Sequence, residues 1–145
     1  MVDQPNPIEE LQRTWALAAA DADAAMALFY QTLFEIAPEV RGMFSGIPMA
    51  DQGRKLAAAI SLVVNSPRLP ESIVGKLEEL GARHVTYGVE DAHYDAVGAA
   101  LIKTLETALG EELTDTARTA WVDAYGAVSG HMKAGAAQAG QIAAE

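Results

Sequence analysis

The stretch Ile73-Val74-Gly75-Lys76-Leu77-Glu78-Glu79-Leu80-Gly81-Ala82-Arg83-His84 decides the fold. Ile73, Leu77, Leu80 and His84 follow at steps of 4, 3 and 4 residues, so the histidine lies on the apolar face of a helix. Pro70 restarts the chain before this helix, and Gly88 is placed to end it as a left-handed cap.

The same period continues in both directions. Upstream, Asn6-Pro7-Ile8-Glu9 carries an Asn cap, a proline at the first helical position and a glutamate three residues after the cap. Ile8, Leu11 and Trp15 then share a face. A second helix starts near Asp21 or Asp23 and presents Met26, Phe29, Leu33 and Ile36. Pro38 breaks it and opens a short helical turn, Pro38-Glu39-Val40-Arg41. Gly42, Gly46 and Pro48 mark an irregular corner carrying Phe44. A third long helix runs from about Asp51, with Leu56, Ile60 and Val63 inward, and stops at Asn65-Ser66-Pro67. Downstream, a helix from Glu90-Asp91 presents Tyr94, Val97, Leu101 and Leu105, and Gly110 closes it. Thr114 caps the last helix, which turns Trp121, Tyr125, Val128 and Met132 inward. The Ala/Gly/Gln-rich tail after Lys133 is expected to fray. No segment of useful length alternates with period two. The fold class is all-α.

The 145 residues fit one domain, 1–145, and half of them are apolar, enough for a core and a cofactor. The formal net charge of −10 repels phosphate backbones and anionic lipid, so neither nucleic acid nor membrane is expected as a partner. No cysteine is present, which excludes disulfides, iron–sulfur clusters and thiolate catalysis. Asp3, Glu9 and Glu10 stand where a secretory leader would be basic and then apolar, and no apolar run reaches the roughly 20 residues of a membrane span. A cytoplasmic protein is expected.

Three histidines can be weighed one by one. His93 sits next to Tyr94, turned short of opposite on the helix, and is expected to be solvated, and His131 has no evident partner in its alanine-rich helix. His84 alone stands in an apolar row. A lone histidine on such a face is ordinarily a core residue with satisfied nitrogens. Zinc would need three or four ligands, and no second histidine falls one turn away. No Gly-x-Ser-x-Gly turn or glycine-rich phosphate loop supports nucleophilic or phosphate chemistry. The acidic pairs Glu9-Glu10, Glu78-Glu79 and Glu111-Glu112 read as solvated helix surface. Haem, in contrast, takes a single axial imidazole and an apolar slot between helices.

Leu28-Phe29-Tyr30 with Leu33-Phe34, and then Pro38-Glu39-Val40-Arg41-Gly42-Met43-Phe44, resembles the bacterial globins. The nearest pattern is that of the single-domain Vitreoscilla-type haemoglobins and the globin domain of flavohaemoglobins. Asp51-Gln52-Gly53-Arg54-Lys55-Leu56 is similar to their distal helix. Arg83-His84 through Tyr87-Gly88-Val89, with His93-Tyr94 and Val97-Gly98, is similar to their proximal segment, and Trp121 with Ala124-Tyr125-Gly126 to their last helix.

The resemblance implies a globin fold of six to eight helices around haem b. It implies His84 as the iron ligand, Phe44 against the haem face, and Tyr30, Gln52 and Leu56 around the bound gas. Lys55 would pair with a propionate, while Val89, Tyr94 and Val97 complete the haem surroundings. Tyr30 and Gln52 both supply donors for a partly anionic bound oxygen. One such bond contributes roughly 1.5–3 kcal/mol in a dry pocket. Phe44, Leu56 and Val97 would exclude water. One departure is evident. Where flavohaemoglobins carry a glutamate that polarises the proximal histidine, the matching place holds Gln138, and a neutral amide cannot push electron density as a carboxylate does.

The function implied is reversible dioxygen binding for storage, transport or scavenging, with carbon monoxide and nitric oxide as further ligands, in a monomer or homodimer. The alternative is a nitric oxide dioxygenase that depends on a separate reductase, since a chain ending at Glu145 leaves no reductase domain. A haem-based ligand sensor is a third reading, for which no output domain is expected.

Overall fold

The computed structural model describes residues 6–66 and 68–144, and the side chains of these except at Thr86 and 140–144. Asp3 and Pro67, on which parts of the sequence reading fall, lie outside the described residues. Among the described residues there are six α-helices: α1 (Pro7–Ala19), α2 (Ala22–Ile36), α3 (Met49–Val64), α4 (Glu71–Thr86), α5 (Asp91–Leu109) and α6 (Asp115–Ala144). Short 3-10 helices span Pro38–Phe44 and Gly110–Glu112, and no described residue is in a strand.

Capping chemistry sets most of these limits. The Asn6 side chain accepts from Ile8 N at 2.9 Å and Glu9 N at 3.3 Å, and Asp21 accepts from Ala24 N at 3.4 Å. Thr114 Oγ1 accepts from Ala117 N at 3.1 Å at the start of α6. At the end of α4, Gly88 takes φ +83. Its N–H donates to Val85 O at 3.1 Å and that of Val89 to His84 O at 3.2 Å, the pair of bonds that closes a helix on a left-handed glycine.

The structure corrects several details. α3 begins at Met49, two residues ahead of Asp51, because Pro48 already supplies the extended entry. The turn at Pro38 runs on as a 3-10 helix to Phe44, so Phe44 closes a helix instead of hanging in an irregular corner. α6 stays helical to Ala144, and the biased tail does not fray at Lys133, since Gly135 is buried against the Glu78 backbone of α4. Ile8 and Ile36 are each 42% exposed, lying in the first turn of α1 and the last turn of α2. On α3 the buried residues are Gly53 and Val64, while Leu56, Ile60 and Val63 stay partly exposed.

The core is divided. The larger cluster joins Leu11 and Trp15 of α1, Met26, Phe29, Tyr30 and Leu33 of α2, Val64, Leu101, Leu105 and Trp121. Each such side chain contributes about 1.5–3 kcal/mol by leaving water. Trp15 and Trp121 meet edge to face at 6.2 Å. Both indoles are satisfied, Trp15 Nε1 donating to Ser61 Oγ and Trp121 Nε1 to the wholly buried Thr14 Oγ1, each at 2.8 Å. The smaller cluster joins Ile73 and Leu77 of α4, Tyr94 of α5 and Met132 of α6, flanked by Leu69, Leu80, Val89 and Val128. Among the described residues the α4 backbone packs mainly on α6 and at most touches α3 marginally.

Candidate functional site

His84 sits in the last turn of α4, half-buried, at the end of the row that supplies the smaller cluster. Its Nδ1 lies 2.7 Å from the Leu80 carbonyl oxygen, one turn back. A carbonyl only accepts, so Nδ1 carries the proton and Nε2 keeps its lone pair. Burial holds the imidazole below its ordinary pKa. The Leu80 bond opposes that shift, and the Arg83 charge adds to it. The ring is thus a neutral, oriented nitrogen donor. The exposed Tyr87 ring stands edge-on to it at 5.6 Å.

A second group of residues gathers on the larger cluster. Tyr30 is buried, its phenol pushed above the usual value by burial and drawn back by a hydrogen bond with the half-buried Gln52 side chain. Phe44 meets Tyr30 edge-on at 5.4 Å and Phe34 at 5.7 Å. The Arg41 guanidinium lies 5.2 Å over the Phe34 ring. Phe34, Arg41, Phe44, Ser45 and Met49 line an open hollow of about 470 Å³. Leu56 and Val97 pack against the same cluster and remain partly exposed.

The residues singled out in the sequence therefore fall into two sets. Tyr30, Gln52, Phe44, Leu56 and Val97 belong with the larger cluster, and His84, Val89 and Tyr94 with the smaller. Lys55 is exposed and joins neither, and Gln138 is exposed on α6. His93 is not free in solvent as expected. Half-buried, its Nδ1 accepts from the Glu90 N–H at 2.9 Å and caps α5. Sequence reasoning missed the Leu80 carbonyl, although a residue four before His84 was the place to look. It also missed Arg41 on Phe34, for which composition held no signal.

Tyr94 adds a further observation. Its hydroxyl is buried with no hydrogen-bond partner among the described residues. Burial raises its pKa, and the Asp91 charge adds to that. Its backbone carbonyl accepts from the Tyr125 hydroxyl at 2.6 Å, and the Lys133 ammonium lies 5.6 Å over its ring.

These residues fit a haem. The donor set is one neutral imidazole with its second nitrogen pinned, which is what an axial ligand requires. The core is split, with the His84 helix backed on α6 and its backbone held off α3. The margins of both clusters are apolar and partly exposed: Phe44, Leu56, Ile60 and Val97 on one, Leu80 and Val89 on the other. Among the described residues, no helix is long and apolar enough to cross a membrane.

Comparison with known proteins agrees with this geometry. A family model described as Globin matches residues 27–132, from α2 into α6. The chain is 29% identical over 133 residues to "Anaerobic nitrite reductase NSHB5" of Oryza sativa subsp. indica, covering 86% of this chain and 90% of that protein. It is 28% identical over 118 residues to a "Flavohemoprotein" of Rhizobium meliloti (strain 1021), covering 80% of this chain but 29% of that one. A "Flavohemoprotein" of Rhodopirellula baltica is 30% identical over 112 residues, covering 76% of this chain and 28% of its own length. The chain thus spans less than a third of the flavohemoproteins it matches.

Proposed function

Because this chain belongs to the globin family, we propose that it binds haem b through His84 and takes up dioxygen reversibly. The single observation that carries the reading is the neutral His84 ring, with Nδ1 bound to Leu80 O at 2.7 Å and Nε2 left as a donor. Haem, when bound, supplies a ferrous iron with one coordination position open to a diatomic gas.

The chain's own residues do the rest. His84 holds the iron, and the Leu80 carbonyl keeps the ring from turning. Tyr30 and Gln52 hold protons on the larger cluster, where a hydroxyl and an amide stabilise a partly anionic ligand by charge-assisted hydrogen bonds. Phe44, Leu56 and Val97 exclude water and so slow oxidation. Val89 and Tyr94 pack beneath the His84 side, and Lys55, free to reach a propionate, anchors the haem edge. The domain is read as 1–145, acting in the cytoplasm.

A nitric oxide dioxygenase served by a separate reductase is the second reading, because the Tyr30–Gln52 pair serves either chemistry.

Absorption spectra with and without dithionite and carbon monoxide test the first step. A Soret band that shifts with both supports it, and a sample colourless after incubation with hemin refutes it. Mixing the oxygenated protein with nitric oxide separates the two readings. Reversible oxygenation without reductant-driven turnover leaves a binding protein.

A further inference from the structure

We infer that Gly81 and Gly135 are positioning residues, which set the approach of α4 to α6 and thereby the place of the His84 imidazole. The inference rests on His84 being the iron ligand. A Cβ built on Gly81 would overlap the Met132 carbonyl oxygen and stand 2.7 Å from Met132 Cα. One on Gly135 would overlap the Glu78 carbonyl oxygen and stand 2.6 Å from Glu78 Cα. The obstacles are backbone atoms, which no rotamer change can clear.

The two contacts are reciprocal. Gly81 and Glu78 on α4 meet Met132 and Gly135 on α6 in reverse order, as in an antiparallel crossing. Backbone therefore touches backbone over one turn on each helix. Gly81 lies three residues before His84, and Leu80, whose carbonyl orients the ring, is its neighbour.

An alanine at either place must push the helices apart, and α4 is the one that yields. α6 is tied to α1 through Trp121–Thr14 and to α5 through Tyr125–Tyr94. Among the described residues the α4 backbone lies close mainly to α6 and approaches the other long helices at most marginally. The added methyl group thus moves the imidazole while the larger cluster stays intact. Gly75 on α4 and Gly130 on α6 supply matched controls, since a Cβ on either meets nothing within 4 Å.

The test uses the haem-loaded chain and the iron–histidine stretching band of its ferrous form. Gly81→Ala and Gly135→Ala each displace that band and speed haem loss roughly ten- to hundredfold, whereas Gly75→Ala and Gly130→Ala change neither. An unmoved band in folded Gly81→Ala and Gly135→Ala overturns the inference. Persistence of the band in His84→Ala overturns the ligand assignment instead, so the two failures are distinguishable. Should an alanine variant not fold, spin labels on Glu79→Cys and Ala137→Cys, in a chain without other cysteines, report the crossing with both glycines intact. One narrow distance, the same with and without haem, supports the inference. Parting of the helices on haem loading overturns it.

Discussion

The Nδ1–H of His84 donates to the Leu80 carbonyl at 2.7 Å, a bond within one helix that needs no other element to form. It leaves Nε2 as the ring nitrogen able to bind a metal, and burial lowers the ring's pKa, which favours the neutral form.

On the proposed assignment His84→Ala removes the iron's protein ligand, and the purified variant is expected to be colourless or weakly loaded. His93→Ala separates the two histidines of this region. It leaves the visible spectrum unchanged but loses the cap on the Glu90 N–H, at about 1 kcal/mol. Absorption spectra and thermal melts check both. A normal Soret band in His84→Ala rejects the assignment.

Tyr30→Phe keeps the ring packed between Phe29 and Phe44 and deletes only the hydroxyl. A hydrogen bond to a partly charged ligand is worth roughly 1.5–3 kcal/mol, so oxygen should leave about ten to a hundred times faster. Flash photolysis or stopped-flow measures this directly. An unchanged rate transfers the role to Gln52.

Thr14→Val is nearly isosteric and tests the core. The Trp121 indole N–H, bonded to Thr14 Oγ1 at 2.8 Å in a fully buried place, loses its acceptor. The cost is expected at about 1–3 kcal/mol, read as a lower urea midpoint with an unchanged slope. Thr14→Ser, which keeps the oxygen, should restore most of it.

Glu10 links α1 to the start of α6. Its carboxylate accepts from Arg13 Nε at 2.6 Å and from Thr114 Oγ1 at 2.8 Å, and these bonds hold its pKa below the ordinary 4.5. A carboxylate lowered on folding stabilises above its unfolded pKa, and that stabilisation fades as pH falls through the folded value. Glu10→Gln is therefore less stable than the parent at neutral pH, and the gap narrows below about pH 5. Melting curves across that range check it; a gap that widens in acid contradicts the sign.

What the sequence by itself determined was local. Helix starts at Asn6, Asp21 and Thr114 and the left-handed stop at Gly88 follow from capping chemistry that acts within four residues. The place of His84 on an apolar face follows from the period of one helix, which is why that residue stood out at once. Tertiary structure alone decided the rest. Ile8 and Ile36 obey the same period yet lie exposed, because burial depends on what crosses a helix and not on its own pattern. The pairing of Tyr30 with Gln52, and of Phe44 with Phe34 and Tyr30, joins segments whose spacing along the chain carries no distance information. Gly81 and Gly135 are where two backbones meet. Only a neighbouring chain segment at that spot makes the missing side chain a requirement.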